Sequence, residues 1–265
     1  MEKSIIKNRK LSILIFGMFL VILSLEIFDL TIFNNQLAND MTVSSISRFL
    51  GGIIFIIVMS YYGYKKLYMW NKPLGRTLLV IIPGVIIALN NFPISAYLNS
   101  RTTLIEPEYT IYLFLIDSLS TGFFEEIVFR SMILIVLLQA LPKTKKGMLY
   151  AVVLSSAIFG LVHLLNLFVG ASLGNTLLQI GYSFLMGMMW AVVFLKTKNI
   201  WLSMLLHALY NFFGQVMFAL GSVSNRYDTV TLITTSVLAV IAIIYYLVIF
   251  RKIKNDDIEE LINIS

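Results

Sequence analysis

Glu125 and Glu126 stand side by side, and Arg130 follows Glu126 by four residues, inside an apolar run from about Tyr109 to Leu141. A charge at the centre of a membrane helix costs roughly 2.5–3.5 kcal/mol on insertion scales, so three uncompensated charges would cost on the order of 8–10 kcal/mol. Such a cluster needs partners or water, and ionisable residues inside a membrane usually mark function. The chain's only two histidines, His163 and His207, also fall within apolar segments. His163 follows Phe159 by four residues and precedes Asn166 by three, and His207 precedes Asn211 by four. Residues four apart share a helix face. His207 and Asn211 can therefore present two polar groups to one cavity. Glu126 can pair with Arg130, while Glu125 points about a quarter-turn away.

These residue types suit amide hydrolysis. A carboxylate in a low-dielectric site takes and returns a proton near neutrality. A glutamate and a histidine bracketing one water could deprotonate it for attack on a carbonyl. A second histidine and an asparagine could donate hydrogen bonds to the oxyanion that forms. The same Glu125, His163 and His207 could instead hold a divalent metal such as zinc. Other intramembrane hydrolase patterns are missing. His163 is followed by Leu164, which rules out H-E-x-x-H; Gly181-Tyr182-Ser183 continues with Phe184; and there is no G-x-G-D.

The elements that must position these groups are membrane helices. The chain has 265 residues, 58% hydrophobic and 13% charged, where a soluble domain is about 25% charged. At about 20 apolar residues per crossing, eight segments qualify: roughly 11–33, 47–64, 77–98, 110–141, 148–169, 173–195, 199–221 and 229–250. The third contains Pro83, Asn90, Asn91 and Pro93 and is expected to kink or end early. The fourth exceeds a straight crossing, so it should tilt or bend at Gly122. Sixteen basic residues fall at one set of ends, and three (Arg48, Arg101 and Arg226) at the other. That asymmetry places both termini in the cytoplasm. Lys3, Lys7, Arg9 and Lys10 precede an apolar run without a small-x-small cleavage site, which suggests an uncleaved first span. Glu26, Asp29 and Asp117 lie toward outer ends and suit structural or lining roles. The acidic stretch Asp256, Asp257, Glu259 and Glu260 reads as a solvated terminus. Trp70 and Trp201 suit interfacial anchors, and Gly181 and Gly187 suit close helix approach. The expected fold is all-α, one polytopic membrane bundle over 1–265 with a motif-bearing core at about 110–215.

Glu125-Glu126-x-x-x-Arg130, Phe159-x-x-x-His163 and His207-x-x-x-Asn211, in that order on the fourth, fifth and seventh spans, resemble the three-motif pattern of the CPBP (Abi) family. That family comprises CAAX prenyl endopeptidases and bacteriocin-processing proteins. The resemblance implies an eight-helix intramembrane endopeptidase. By its pattern Glu125 and His163 would activate water, His207 and Asn211 would stabilise the oxyanion, and Glu126 and Arg130 would form a supporting ion pair. Asn166 lies outside the pattern and is a candidate for support behind the site. A mechanism that requires no cofactor is preferred over the zinc form, since a water held by Glu and His suffices.

The expected substrate is a membrane-associated hydrophobic or lipid-modified peptide, of CAAX type or a bacteriocin or pheromone leader. A non-catalytic protein of the same fold, acting in bacteriocin self-immunity or cell-envelope regulation, is the alternative. A small transporter is disfavoured because the chain shows no inverted repeat. The net charge of +6 is scattered between apolar runs, so it signals orientation in a lipid bilayer and not nucleic acid. Absence of cysteine removes thiolate chemistry. Richness in Ile, Asn and Lys points to a bacterial plasma membrane as the location.

Overall fold

The computed structural model describes residues 31–69 and 74–262. The expected first span, with Glu26 and Asp29, lies almost wholly outside the described residues, as do Trp70 and Lys72. In hydrocarbon every backbone N–H and C=O must be satisfied within its own segment, so long apolar runs become helices. Helix α1 spans Gln36–Met59 and continues through a π turn, Ser60–Tyr64, and a 3-10 turn, Lys65–Tyr68. Helix α2 is Leu74–Asn90, with Pro83 inside it, and ends there as expected; α3 is Ile94–Leu98. Helix α4, Tyr109–Glu126, passes into a π segment, Ile127–Leu134, and then α5, Ile135–Ala140. Helix α6 is Lys145–Val162, extended by a 3-10 segment, His163–Val169. Then come α7, Leu173–Thr197, α8, Ile200–Ala219, α9, Thr229–Arg251, and α10, Asn255–Ile262.

The starts of these helices follow from local chemistry. Asn35, Thr144, Ser172, Asn199 and Asp228 each accept a hydrogen bond from a free N–H of the first turn, which is the usual N-cap arrangement. Among the described residues, five helices are long and apolar enough to cross a membrane: Gln36–Tyr68, Lys145–Val169, Leu173–Thr197, Ile200–Ala219 and Thr229–Arg251. The chain is a polytopic helical membrane bundle. The continuous rod Tyr109–Ala140 carries the buried charges. It tolerates them because α1, α6, α7 and α8 surround it. From Ile127 to Met132 every residue is buried, so this part of the rod faces protein all round and not lipid.

The connections sort to two ends. At one end the Lys145 ammonium donates to the carbonyls of Phe250 and Ile253, Lys198 pairs with Asp257, and Gln139 donates to the Tyr64 hydroxyl. At the other, Thr102–Leu104 and Gly221–Val223 form a two-stranded antiparallel sheet in which Thr103 faces Ser222. The purely helical expectation did not include this sheet. Beside it Asp228 accepts from the Ser95 hydroxyl and the Arg101 guanidinium while capping α9 through the Thr231 N–H.

Those three donors, led by Ser95 and Arg101, hold the Asp228 carboxyl well below the usual carboxylate range. A folded pKa below the unfolded one stabilises above the unfolded value and loses that contribution as pH falls. Thermal stability should therefore fall as pH drops below about 4, and Asp228→Asn should flatten that part of the pH–melting profile.

Several expectations are corrected. The second span starts at Gln36 and not near residue 47, so Arg48 lies inside α1 and not in an outer loop; it pairs with Asp117 at 2.6 Å. The acidic stretch keeps Asp256 and Glu259 exposed, as expected, but it is not a bare tail. It forms amphipathic α10, which buries Ile258, Leu261 and Ile262 and pairs Asp257 with Lys198. The irregularity in the long rod is the π segment after Glu126, one turn beyond Gly122. Gly122 serves close packing instead: a Cβ there would sit 2.8 Å from the Met204 carbonyl oxygen and 3.0 Å from the Ala208 nitrogen of α8. Gly187 is similarly tight against Ser156 and Phe159, but Gly181 has open space and is no contact point. Gly122→Val should cost about 1–3 kcal/mol by forcing α4 off α8. Gly181→Ala should raise stability by up to about 1 kcal/mol through helix propensity. Thermal unfolding of the two purified variants checks both.

Candidate active site

Four helices each contribute a string of residues at i, i+3 or i, i+4 spacing to one cavity of about 360 Å³. From α4 come Asp117, Thr121 and Glu125; from α6 Phe159, followed by His163 at the start of the 3-10 segment. Helix α7 adds Gln179, Tyr182, Met186 and Trp190, and α8 adds His207, Tyr210, Asn211 and Gln215. The structure thus gathers Glu125, His163, His207 and Asn211 around one space. Asn166 is not among the lining residues; its amide donates to the Gln179 carbonyl oxygen at 2.8 Å and so steadies a residue that is.

The two adjacent carboxylates differ sharply. Glu126 is fully buried with Arg130, joined by two hydrogen bonds of 2.9 and 3.3 Å. Glu125 keeps 27% of its side chain exposed and faces the cavity. The quarter-turn between neighbours in a helix produces this division. The guanidinium of Arg130 also lies over the Phe159 ring at 5.4 Å.

His207 bridges the two carboxylates. Its Nδ1–H donates to Glu126 Oε1 at 3.1 Å, and its Nε2 stands 3.5 Å from Glu125 Oε2. This link is additional to the expected role of His207 beside Asn211. The carboxylate fixes the tautomer by accepting from Nδ1. His163 is oriented differently: its Nδ1–H donates to the Phe159 carbonyl at 3.0 Å, which leaves Nε2 as the nitrogen with a free lone pair. The Phe159 ring contacts both imidazoles edge-on, at 5.4 and 5.7 Å between centroids, and so packs behind the site. The start of the π segment immediately after Glu126 fits the tendency of such segments to occur at functional sites.

Asp117, Thr121, Gln179, Tyr182, Tyr210 and Gln215 were not singled out for the site as lining groups except Asp117. Thr121, Tyr210 and Gln215 could have been found by extending the helix faces in steps of three and four from Glu125 and His207, whereas Gln179 and Tyr182 lie on a helix that offered no polar anchor. Among the described residues no group of three or more histidine and carboxylate side chains is placed to hold a metal ion. Glu125, His163 and His207 do not form such a group as arranged here.

Tyr182, Met186 and Tyr210 form a shared wall between this cavity and a second, largely apolar groove among α2, α7 and α9. Residues 107–213 match the family model described as Type II CAAX prenyl endopeptidase Rce1-like. The matched segment runs from just before α4 to just past Asn211, so it includes all three motifs, and it agrees in family and extent with the resemblance drawn from them. No curated protein and no solved structure matches the chain.

Proposed function

We propose, on the premise of this similarity to Rce1-like prenyl endopeptidases, that the chain cleaves a hydrophobic or lipid-modified membrane peptide by direct attack of an activated water. The observation that carries the proposal is the solvent-reached Glu125 beside the buried Glu126–His207 pair, in the same cavity as His163. Glu125 and His163 Nε2 are the two groups free to accept a proton. The water oxygen bonds to the scissile carbonyl carbon, and its proton passes to this pair. His207 and Asn211 donate to the oxygen that gains charge. To donate through Nε2, His207 must carry a proton on each ring nitrogen, with Glu126 accepting from Nδ1. The C–N bond then breaks, and the proton held by Glu125 or His163 leaves with the amine.

A peptide of CAAX type and a bacteriocin or pheromone leader both present the extended apolar segment that an apolar groove beside a polar cavity can accept. The test is cleavage of such peptides by the purified protein in lipid nanodiscs, with Glu125→Ala and His163→Ala as controls. A protein acting in self-immunity without catalysis would keep its cellular effect in the double variant; a peptidase would lose it.

A further inference from the structure

Three of the chain's arginines each hold a carboxylate: Arg48 holds Asp117, Arg101 holds Asp228 and Arg130 holds Glu126. Arg226 holds none among the described residues, yet its position is fixed. Its guanidinium donates to the Asn91 carbonyl oxygen at 3.4 Å and lies over the Phe218 ring at 4.3 Å and the Tyr227 ring at 5.4 Å. Asn91 is itself fixed, because its amide donates to the Tyr210 carbonyl of α8 at 3.0 Å. A Cβ at Gly214 would sit 2.0 Å from the Asn91 amide nitrogen, so the side chain lies directly on α8. The loop carrying Arg226 is fastened on both sides: the Ser224 N–H donates to the Arg101 carbonyl, and the Arg101 guanidinium reaches the Asn225 carbonyl and Asp228.

This pinned cation is not itself a lining residue, but it touches residues that adjoin the cavity. Tyr210 lines it, and so does Ala219, the neighbour of Phe218. A guanidinium offers five N–H donors in a fork that suits a carboxylate, and here one weak bond uses them. We propose that Arg226 is a carboxylate-binding subsite that anchors an anionic group of the bound peptide at the end of the cavity away from Glu126. The carboxylate is either the peptide's own C-terminus or an acidic side chain near it. The inference rests on the peptidase reading for its ligand, but binding alone can test it.

The experiment measures binding of a fluorescent apolar octapeptide to the full chain in zwitterionic nanodiscs by anisotropy. The peptide is used as the free acid, as the C-terminal amide, and as the amide with one internal glutamate. Wild type should bind the free acid roughly ten- to a hundredfold more tightly than the plain amide. Arg226→Gln should erase that preference without weakening amide binding, and Arg226→Lys should keep part of it. Tight binding of the glutamate-bearing amide alone would assign the anchor to a side chain. Equal affinity of wild type for all three peptides, including no binding of any, overturns the proposal, as does a preference that survives in Arg226→Gln. Carboxylate preference without cleavage of any peptide would instead overturn the peptidase reading and leave the subsite standing.

Discussion

Glu125→Gln is expected to slow peptide cleavage by about 10²–10⁴-fold while barely changing the melting temperature. Glu125 is the carboxylate that faces the cavity and remains partly exposed. Its amide isostere keeps the shape and hydrogen-bonding capacity but cannot accept the water's proton. His163→Ala should lose a similar factor, because the imidazole's free Nε2 goes with it. The two losses should not multiply, since both groups serve one proton transfer. Single-turnover kinetics of the two variants and their combination checks this. Near-wild-type rates in either variant would remove that residue from the chemistry.

The second large effect is on folding. Arg130→Ala should cost about 3–5 kcal/mol, the usual result of stranding one member of a buried pair. Glu126 and Arg130 are both fully buried, so a lone Glu126 carboxylate would keep only the His207 imidazole. The guanidinium of Arg130 also packs on Phe159 and carries one nitrogen, Nη1, without a hydrogen-bond partner among the described residues. Replacing both, as in Glu126→Leu with Arg130→Met, should cost less than Arg130→Ala alone, because no charge is left unpaired. That double variant should still lose activity, since the His207 Nδ1–H would have no acceptor to set its orientation. Thermal unfolding of both variants, read beside their cleavage rates, separates the structural contribution of the pair from its positioning of His207.

Much of this architecture was legible in the sequence. The spans expected at 110–141, 148–169, 173–195, 199–221 and 229–250 match observed helical stretches to within about three residues, because apolar length and polar caps both mark their ends. The second span was misplaced for a physical reason. Its first turns, Gln36 to Ser47, look polar in composition, yet Asn39, Ser45 and Ser47 are buried. Their polarity is satisfied locally: Asn39 accepts from the N–H groups of Ile32 and Phe33, and Ser45 donates to the Met41 carbonyl. The Ser44–Asp117–Arg48 contact then depends on α4, which hydropathy does not see.

The site was legible in its four polar groups and in the Glu126–Arg130 pair, because helix periodicity sets their faces. Two features were not. The His207–Glu126 bond spans 81 positions in the chain and needs the packing of α4 on α8, which Gly122 permits. The π segment after Glu126 has no residue signature comparable to a proline or a cap. The acidic stretch misled because Asp257 has a partner in Lys198, a residue 59 positions earlier whose approach is set by the ends of α7 and α9.

The most direct test of water attack at this cavity is mass spectrometry of an apolar membrane peptide incubated with the purified protein in ¹⁸O-labelled water. The expected result is internal cleavage with one ¹⁸O in the new C-terminal carboxylate, lost in Glu125→Gln and in His163→Ala. An intact peptide, or labelled product formed at the wild-type rate by both variants, would contradict it.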